Sequence, residues 1–281
     1  MKILTGLRRL LALLPLLAAV LVVPASLAQT APTRTDPGGR PASILWVGNS
    51  FFYYHNSMHG HFGRLVESLG EKPGVRGTSV TISGSGLDWH DMESLVRANG
   101  LGRYSFVGDN EVRFNAPGRQ YDTVIMMDCS QCPIHPQLQR SFHDTVKKDA
   151  DILRQHGIRP VLFMSWAYKD KPEMTQQLAQ AYTQAGNAND LLVIPAGLAF
   201  AKAIAAKPDL ELYQPDKRHP TLAGTYLASC ATYAALFRKS PVGATYTAGL
   251  APDTAKLLQQ AAWDAARDYF QGPLPPQSAK Q

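Results

Sequence analysis

Ser50, Asp216 and His219 have the types and spacing that nucleophilic catalysis needs. Ser50 ends the tripeptide Gly48-Asn49-Ser50, directly after the apolar run Ile44 to Val47. A serine hydroxyl becomes a competent nucleophile once a base accepts its proton and a third group orients that base. The loop Pro215 to Thr221 carries both partners as Asp216-Lys217-Arg218-His219, and a carboxylate three residues ahead of a histidine in a proline-flanked turn can reach the ring nitrogen facing away from the serine. The plainer readings are an ordinary turn at Gly-Asn-Ser and a solvated charged patch at Asp216 to His219. A second chemistry sits at Cys129-Ser130-Gln131-Cys132, where a C-x-x-C between a strand and a helix suits thiol-disulfide exchange or a local disulfide. A metal pair is the poorer reading, because no second C-x-x-C completes a tetrahedral site. Cys230 lies on an expected core helix and reads as a small apolar residue. His55, His59, His61 and His90 read as loop or rim residues.

These groups need a scaffold that brings both ends of the chain to one place. Four consecutive apolar residues without alternation, Ile44 to Val47, read as a strand covered on both faces. Further strands are expected at 75–82, 122–127, 160–166 and 191–194, with a hairpin around 104–114 inside an irregular excursion. Helical spacing starts near Met58, with Ser57 as its cap, and recurs at 137–156, 172–186, 196–206, 222–237 and 251–269. Strands alternating with helices predict an α/β three-layer sandwich around a mostly parallel five-stranded sheet. In such folds ligands gather at the carboxyl edge of the strands, where both Ser50 and the Asp216–His219 loop would lie.

Residues 1–28 combine Lys2, Arg8 and Arg9 with the apolar run Leu10 to Val23 and small residues at Ala25-Ser26-Leu27-Ala28, the pattern of a cleaved secretory signal peptide. The expected protein is therefore exported, periplasmic or secreted, with no stable membrane anchor after cleavage. Those three cations account for half of the formal net charge of +6. The scattered remainder argues against nucleic acid as a partner. Residues 29–40 read as a flexible leader, 41–272 as one domain large enough to bury its own core, and 273–281 as a flexible tail.

Taken together, Gly48-Asn49-Ser50-Phe51 and Asp216-Lys217-Arg218-His219-Pro220 resemble the first and last blocks of the SGNH (GDSL-type) serine hydrolases, in a Gly-Asn-Ser-Phe variant. The resemblance spans Ile44 to about Phe237 and implies a flavodoxin-like SGNH hydrolase fold. It implies Ser50 as nucleophile, His219 as general base and Asp216 as its partner, without metal or organic cofactor. It also implies an oxyanion hole built from the Ser50 amide, a glycine amide at Gly84 or Gly86, and Gln131 where the family has Asn. Short acyl groups on carbohydrates are common substrates in that family, so a small-molecule or carbohydrate ester is expected, with Trp89 and Trp166 as walls for a sugar. Three other functions stay open: an acyltransferase using the same triad, a thiol-disulfide oxidoreductase using Cys129 and Cys132, and a catalytically silent carbohydrate-binding protein.

Overall fold

The computed structural model describes residues 30–98 and 100–271. The proposed signal segment and the tail 273–281 lie outside the described residues. Ile44 to Val47 are fully buried within β1 (Ser43–Gly48), as a strand sandwiched between two helical layers requires. The first half of the chain continues with α1 (Ser50–Tyr53), α2 (Met58–Ser68), β2 (Arg76–Thr81) and α3 (Met92–Val96). A hairpin of β3 (Tyr104–Gly108) and β4 (Glu111–Phe114) follows, then β5 (Thr123–Met126), α4 (Gln139–Gln155), β6 (Arg159–Phe163), α5 (Met174–Ala188) and β7 (Leu192–Ile194). Three helices close the fold: α6 (Ala196–Ala206), α7 (Leu222–Phe237) and α8 (Pro252–Gln271). Among the described residues no helix is long and apolar enough to cross a membrane.

The main sheet is parallel throughout, in the order β2-β1-β5-β6-β7. The chain moves one way from β1 to β2 and the other way from β5 through β6 to β7. Right-handed crossovers therefore send the connecting helices to opposite faces. The loops leaving β1 and β5 diverge at that reversal, at the carboxyl edge, where Ser50 follows directly on β1. α2 packs against α7, and α7 against α8, whereas α3 packs against α4. Apolar residues surround α7 on every side, and all but its two end residues are buried, so it forms the centre of its layer. Thr221 caps it by accepting a hydrogen bond from the Gly224 amide at 3.2 Å.

Three local expectations change. The chain after Gly48 turns at once into α1, capped by the Asn49 side chain, which accepts from the Phe51 amide. Ser57 stands at the cap position of α2 but makes no cap bond, because its hydroxyl is directed to the Phe52 carbonyl and His59 Nδ1. The leader is tied down over residues 33–39, with Thr33 bonded to Asn187, Arg34 paired to Asp190, and Arg159 Nη1 donating to the carbonyls of Pro37 and Gly39 at 2.6 and 2.7 Å. It forms a strap across the amino edge of the sheet.

Candidate active site

β1 delivers Ser50 to the carboxyl edge, and the loop between α6 and α7 delivers Asp216 and His219 to the same point. His219 Nε2 lies 2.8 Å from Ser50 Oγ, and His219 Nδ1 is hydrogen-bonded to Asp216 Oδ2. The other carboxylate oxygen of Asp216 accepts the amides of Arg218 and His219, each at 3.0 Å. Burial works against ionising Asp216, but the bond from His219 and the two amides outweigh it and hold the carboxyl at about 2. The loop thus fixes its own carboxylate as an anion, which keeps the proton of a neutral His219 on Nδ1 and leaves Nε2 to accept from Ser50. Tyr54 stacks on the imidazole, with ring centroids 4.3 Å apart and planes 11° from parallel, and Phe51 meets its edge.

The loops after β1, β2 and β5 are bound to one another beneath Ser50. Asn49 Nδ2 donates to the carbonyls of Ser85 and Asp128 at 3.1 and 3.2 Å. His90 Nε2 donates to the Gly48 carbonyl, and Asp128 Oδ1 accepts the amides of Leu87 and Cys129. Burial lowers the pKa of His90 and raises that of Asp128. Gly84 has φ of +72°, where a side chain would be strained. A Cβ at Gly86 would come within 3.1 Å of Asp128 Oδ1 and closer still to Asp88. Both glycines are therefore needed by the backbone itself. The amides of Gly84 and Gly86 donate to no protein acceptor among the described residues, and neither does that of Ser50, first residue of its helix.

Two expected substrate contacts part ways. Trp89 is 62% exposed on a 3₁₀ turn beside the glycine loop. Trp166 is fully buried, so it is not a sugar platform. Its ring is stacked between Phe51 at 4.6 Å and Phe200 at 4.3 Å, and its Nε1 donates to the Arg218 carbonyl at 3.0 Å. Trp166 is thus a bracket for the loop that carries Asp216 and His219.

The histidines also move inward from their expected place. His61 is buried, its Nε2 donating to the His55 carbonyl and its Nδ1 facing the Tyr246 hydroxyl, while buried His90 joins the loops. His55, Asn56 and Ser57 all adopt positive φ, between +52° and +70°. That turn aims His55 Nε2 at the Pro220 carbonyl, 3.1 Å away. Tyr54 and His55 therefore hold the His219 loop from the side of Ser50, a role that no spacing in the sequence announces.

Of the two open readings of the C-x-x-C, the structure has the disulfide between Cys129 and Cys132; Cys230 is a buried thiol, as expected. Asp128, Cys129 and Cys132 bring metal-ligand types within 4.8 Å of one another, but both sulfurs are consumed in the disulfide. Within that short loop Ser130 Oγ lies 2.6 Å from the Tyr168 hydroxyl, and Arg218 sits over the Tyr168 ring. Gln131 lines a depression with Ile134, His135, Lys171 and Glu173 that includes none of the triad.

No protein-family model and no curated protein matches the chain by sequence. Solved structures do. A DUF4886 family protein from Bacteroides uniformis aligns with a TM-score of 0.55 at 20% identity over 81% of this chain and 95% of its own. A candidate SGNH hydrolase from Slackia heliotrinireducens gives 0.51 at 21% identity, over 69% of this chain and 98% of its own. The chain has the SGNH hydrolase fold. An acetylxylan esterase from Geobacillus stearothermophilus shares it, with a TM-score of 0.50 at 13% identity over 70% of this chain and 95% of its own. Here the loop after β1 carries Ser50 and the loop between α6 and α7 carries the Asp216–His219 pair to the same place.

Proposed function

We propose that the protein is a serine esterase that forms an acyl-enzyme on Ser50. The observation that carries this reading is the 2.8 Å contact from Ser50 Oγ to His219 Nε2, with Asp216 on the far ring nitrogen. Ser50 Oγ attacks the ester carbonyl carbon while His219 Nε2 takes the hydroxyl proton. The tetrahedral oxyanion faces the Ser50 amide and the amide of Gly84 or Gly86. Collapse expels the alcohol, which leaves with the proton from His219. Water then attacks the acyl group as His219 accepts its proton, and Ser50 is regenerated when that proton returns to Oγ. Asp216 keeps His219 in the useful tautomer throughout.

A short acyl group on a carbohydrate is the substrate class we favour. Trp89 offers an exposed indole beside the glycine loop, and an acetylxylan esterase shares the fold. The protein is further proposed to act after export, with Gln29 as the new amino terminus, which intact-mass measurement of exported protein tests. Labelling with a serine-reactive fluorophosphonate, then peptide mapping, tests the central claim. The label should fall on Ser50, and Ser50→Ala and His219→Ala should each abolish nearly all turnover of a short-chain aryl ester. Wild-type rates in the Ser50 variant would overturn the reading. Assays with an acceptor alcohol separate transfer from hydrolysis, since the same acyl-enzyme serves both.

A further inference from the structure

β1 lies between β2 and β5, and its backbone pairing runs to the end of the strand on both sides. The Gly48 carbonyl accepts the Ile82 amide at 3.1 Å, and the Val47 carbonyl accepts the Met127 amide at 3.0 Å. Beyond those bonds the three chains separate into the loops around Ser50. Asp128 Oδ1 joins the two outer loops to each other by accepting the Leu87 amide. Among the described residues, Asn49 is the side chain that bonds to both of them from the segment bearing Ser50. It is 4% exposed, and its Nδ2 donates one hydrogen to the Ser85 carbonyl at 3.1 Å and the other to the Asp128 carbonyl at 3.2 Å. Its Oδ1 is engaged at the Phe51 amide as the cap of α1.

That crosspiece holds the backbone on which the proposed oxyanion donors sit. Ser85 lies between Gly84 and Gly86, in a turn closed by the Ser85 amide on the Ile82 carbonyl at 3.2 Å. A trans peptide is planar, with its C=O and N–H pointing in opposite directions. Fixing the Ser85 carbonyl on Asn49 therefore fixes the direction of the Gly86 N–H, away from Asn49, and holds Gly84 one residue before. On the other side the Asp128 carbonyl is fixed in the same way, and the amide of that peptide, at Cys129, is taken by the Asp128 carboxylate. We infer that Asn49 is a positioning residue for the oxyanion hole, a two-handed tie that holds the glycine turn and the disulfide loop in place against Ser50. The inference rests on the acyl-enzyme reading above.

The role requires an amide at this length. An Asp here offers an equivalent cap acceptor, but when ionised it has no N–H to give and sets a negative charge against two carbonyl oxygens. A Gly caps almost as well and donates nothing. Either change leaves two buried carbonyls without their donor, so the loops are driven to move. The G-D-S-L pattern has Asp at this place, and restoring that pattern should harm this chain.

Asn49→Asp and Asn49→Gly test the inference, because they differ in charge and bulk and share the loss of both donors. Each should lower the turnover number for a short-chain aryl ester by about 10- to 100-fold, less than removing a donor outright, with KM changed less than about threefold. Affinity for an alkyl trifluoromethyl ketone, which adds to a serine hydroxyl as a tetrahedral oxyanion, should fall by a similar factor. Hydrogen exchange should quicken in peptides covering 83–87 and 128–132 and stay unchanged in β6 and α7. Turnover in both variants within about threefold of wild type, a loss carried by KM, or unchanged affinity for the ketone overturns the inference. So does exchange that quickens throughout the fold, which would make Asn49 a structural residue only. Ser50→Ala is measured beside them. Wild-type rates there overturn the acyl-enzyme reading and this inference with it, whereas an inactive Ser50→Ala beside fully active Asn49 variants overturns the inference alone.

Discussion

Trp166 shows at the level of one residue how burial redirects a sequence reading. An indole just past a strand end reads equally well as cleft wall or as core, and only its zero exposure decides. Its consequence is testable. Trp166→Phe removes the bond to the Arg218 carbonyl while keeping a ring between Phe51 and Phe200, so the turnover number should fall by about tenfold as His219 loses its anchor, with KM little changed. Trp89→Ala should do the reverse, raising KM for a carbohydrate ester and leaving turnover of a small aryl ester intact. The third oxyanion donor separates two neighbours. In the proposed oxyanion hole Ser130 and Gln131 are the two side chains to compare: the Ala variant of the one that donates should cost 10² to 10³ in turnover, the loss typical of one donor, and that of the other less than about tenfold. Ser50, Asp216 and His219 were legible because each sits in a short motif with its neighbours. Tyr54 and His55 were not, since stacking on His219 and reaching Pro220 depend on three successive left-handed residues that no residue type dictates.

Elements with strong periodicity or unbroken apolar runs declared themselves, as α6 and α7 do within a residue of their observed ends. α1 escaped notice because four residues are too few to show a period. The disulfide loop illustrates what a tight element contributes. Cys129 and Cys132 are three residues apart, so their bond constrains little of the unfolded chain, about 2 kcal/mol by loop-closure entropy. Replacing both by Ala should lower stability by that order in a urea titration and leave most ester hydrolysis. A disulfide reductase activity that survives Ser50→Ala would instead revive the redox alternative.

Over the whole molecule, Asp149 makes stability depend on pH in a direction opposite to the usual carboxylate. It is fully buried on α4; among the described residues neither oxygen accepts a well-formed hydrogen bond, and Lys148 Nζ lies 3.5 Å from Oδ1. Burial pushes it up to about 6, with Lys148 opposing the rise. A folded pKa above the unfolded one means that the folded state holds its proton longer, so stability falls as pH rises from about 4 to 6 and is level beyond, by about 3 kcal/mol in all. Asp149→Asn should therefore raise the melting temperature at pH 7 by about 6 to 12 °C and hardly change it at pH 4. Equal effects at both pH values would show that the ionised form carries no cost. The strap of residues 33–39 has a consequence in time. Its partners Arg159, Asn187 and Asp190 come 120 residues or more later. A ribosome or export channel releasing the chain from its amino end must therefore deliver the larger part of the sheet before the strap has anything to bind. Until then residues 33–39 have no partner to hold them, and their docking comes among the last steps that complete the fold.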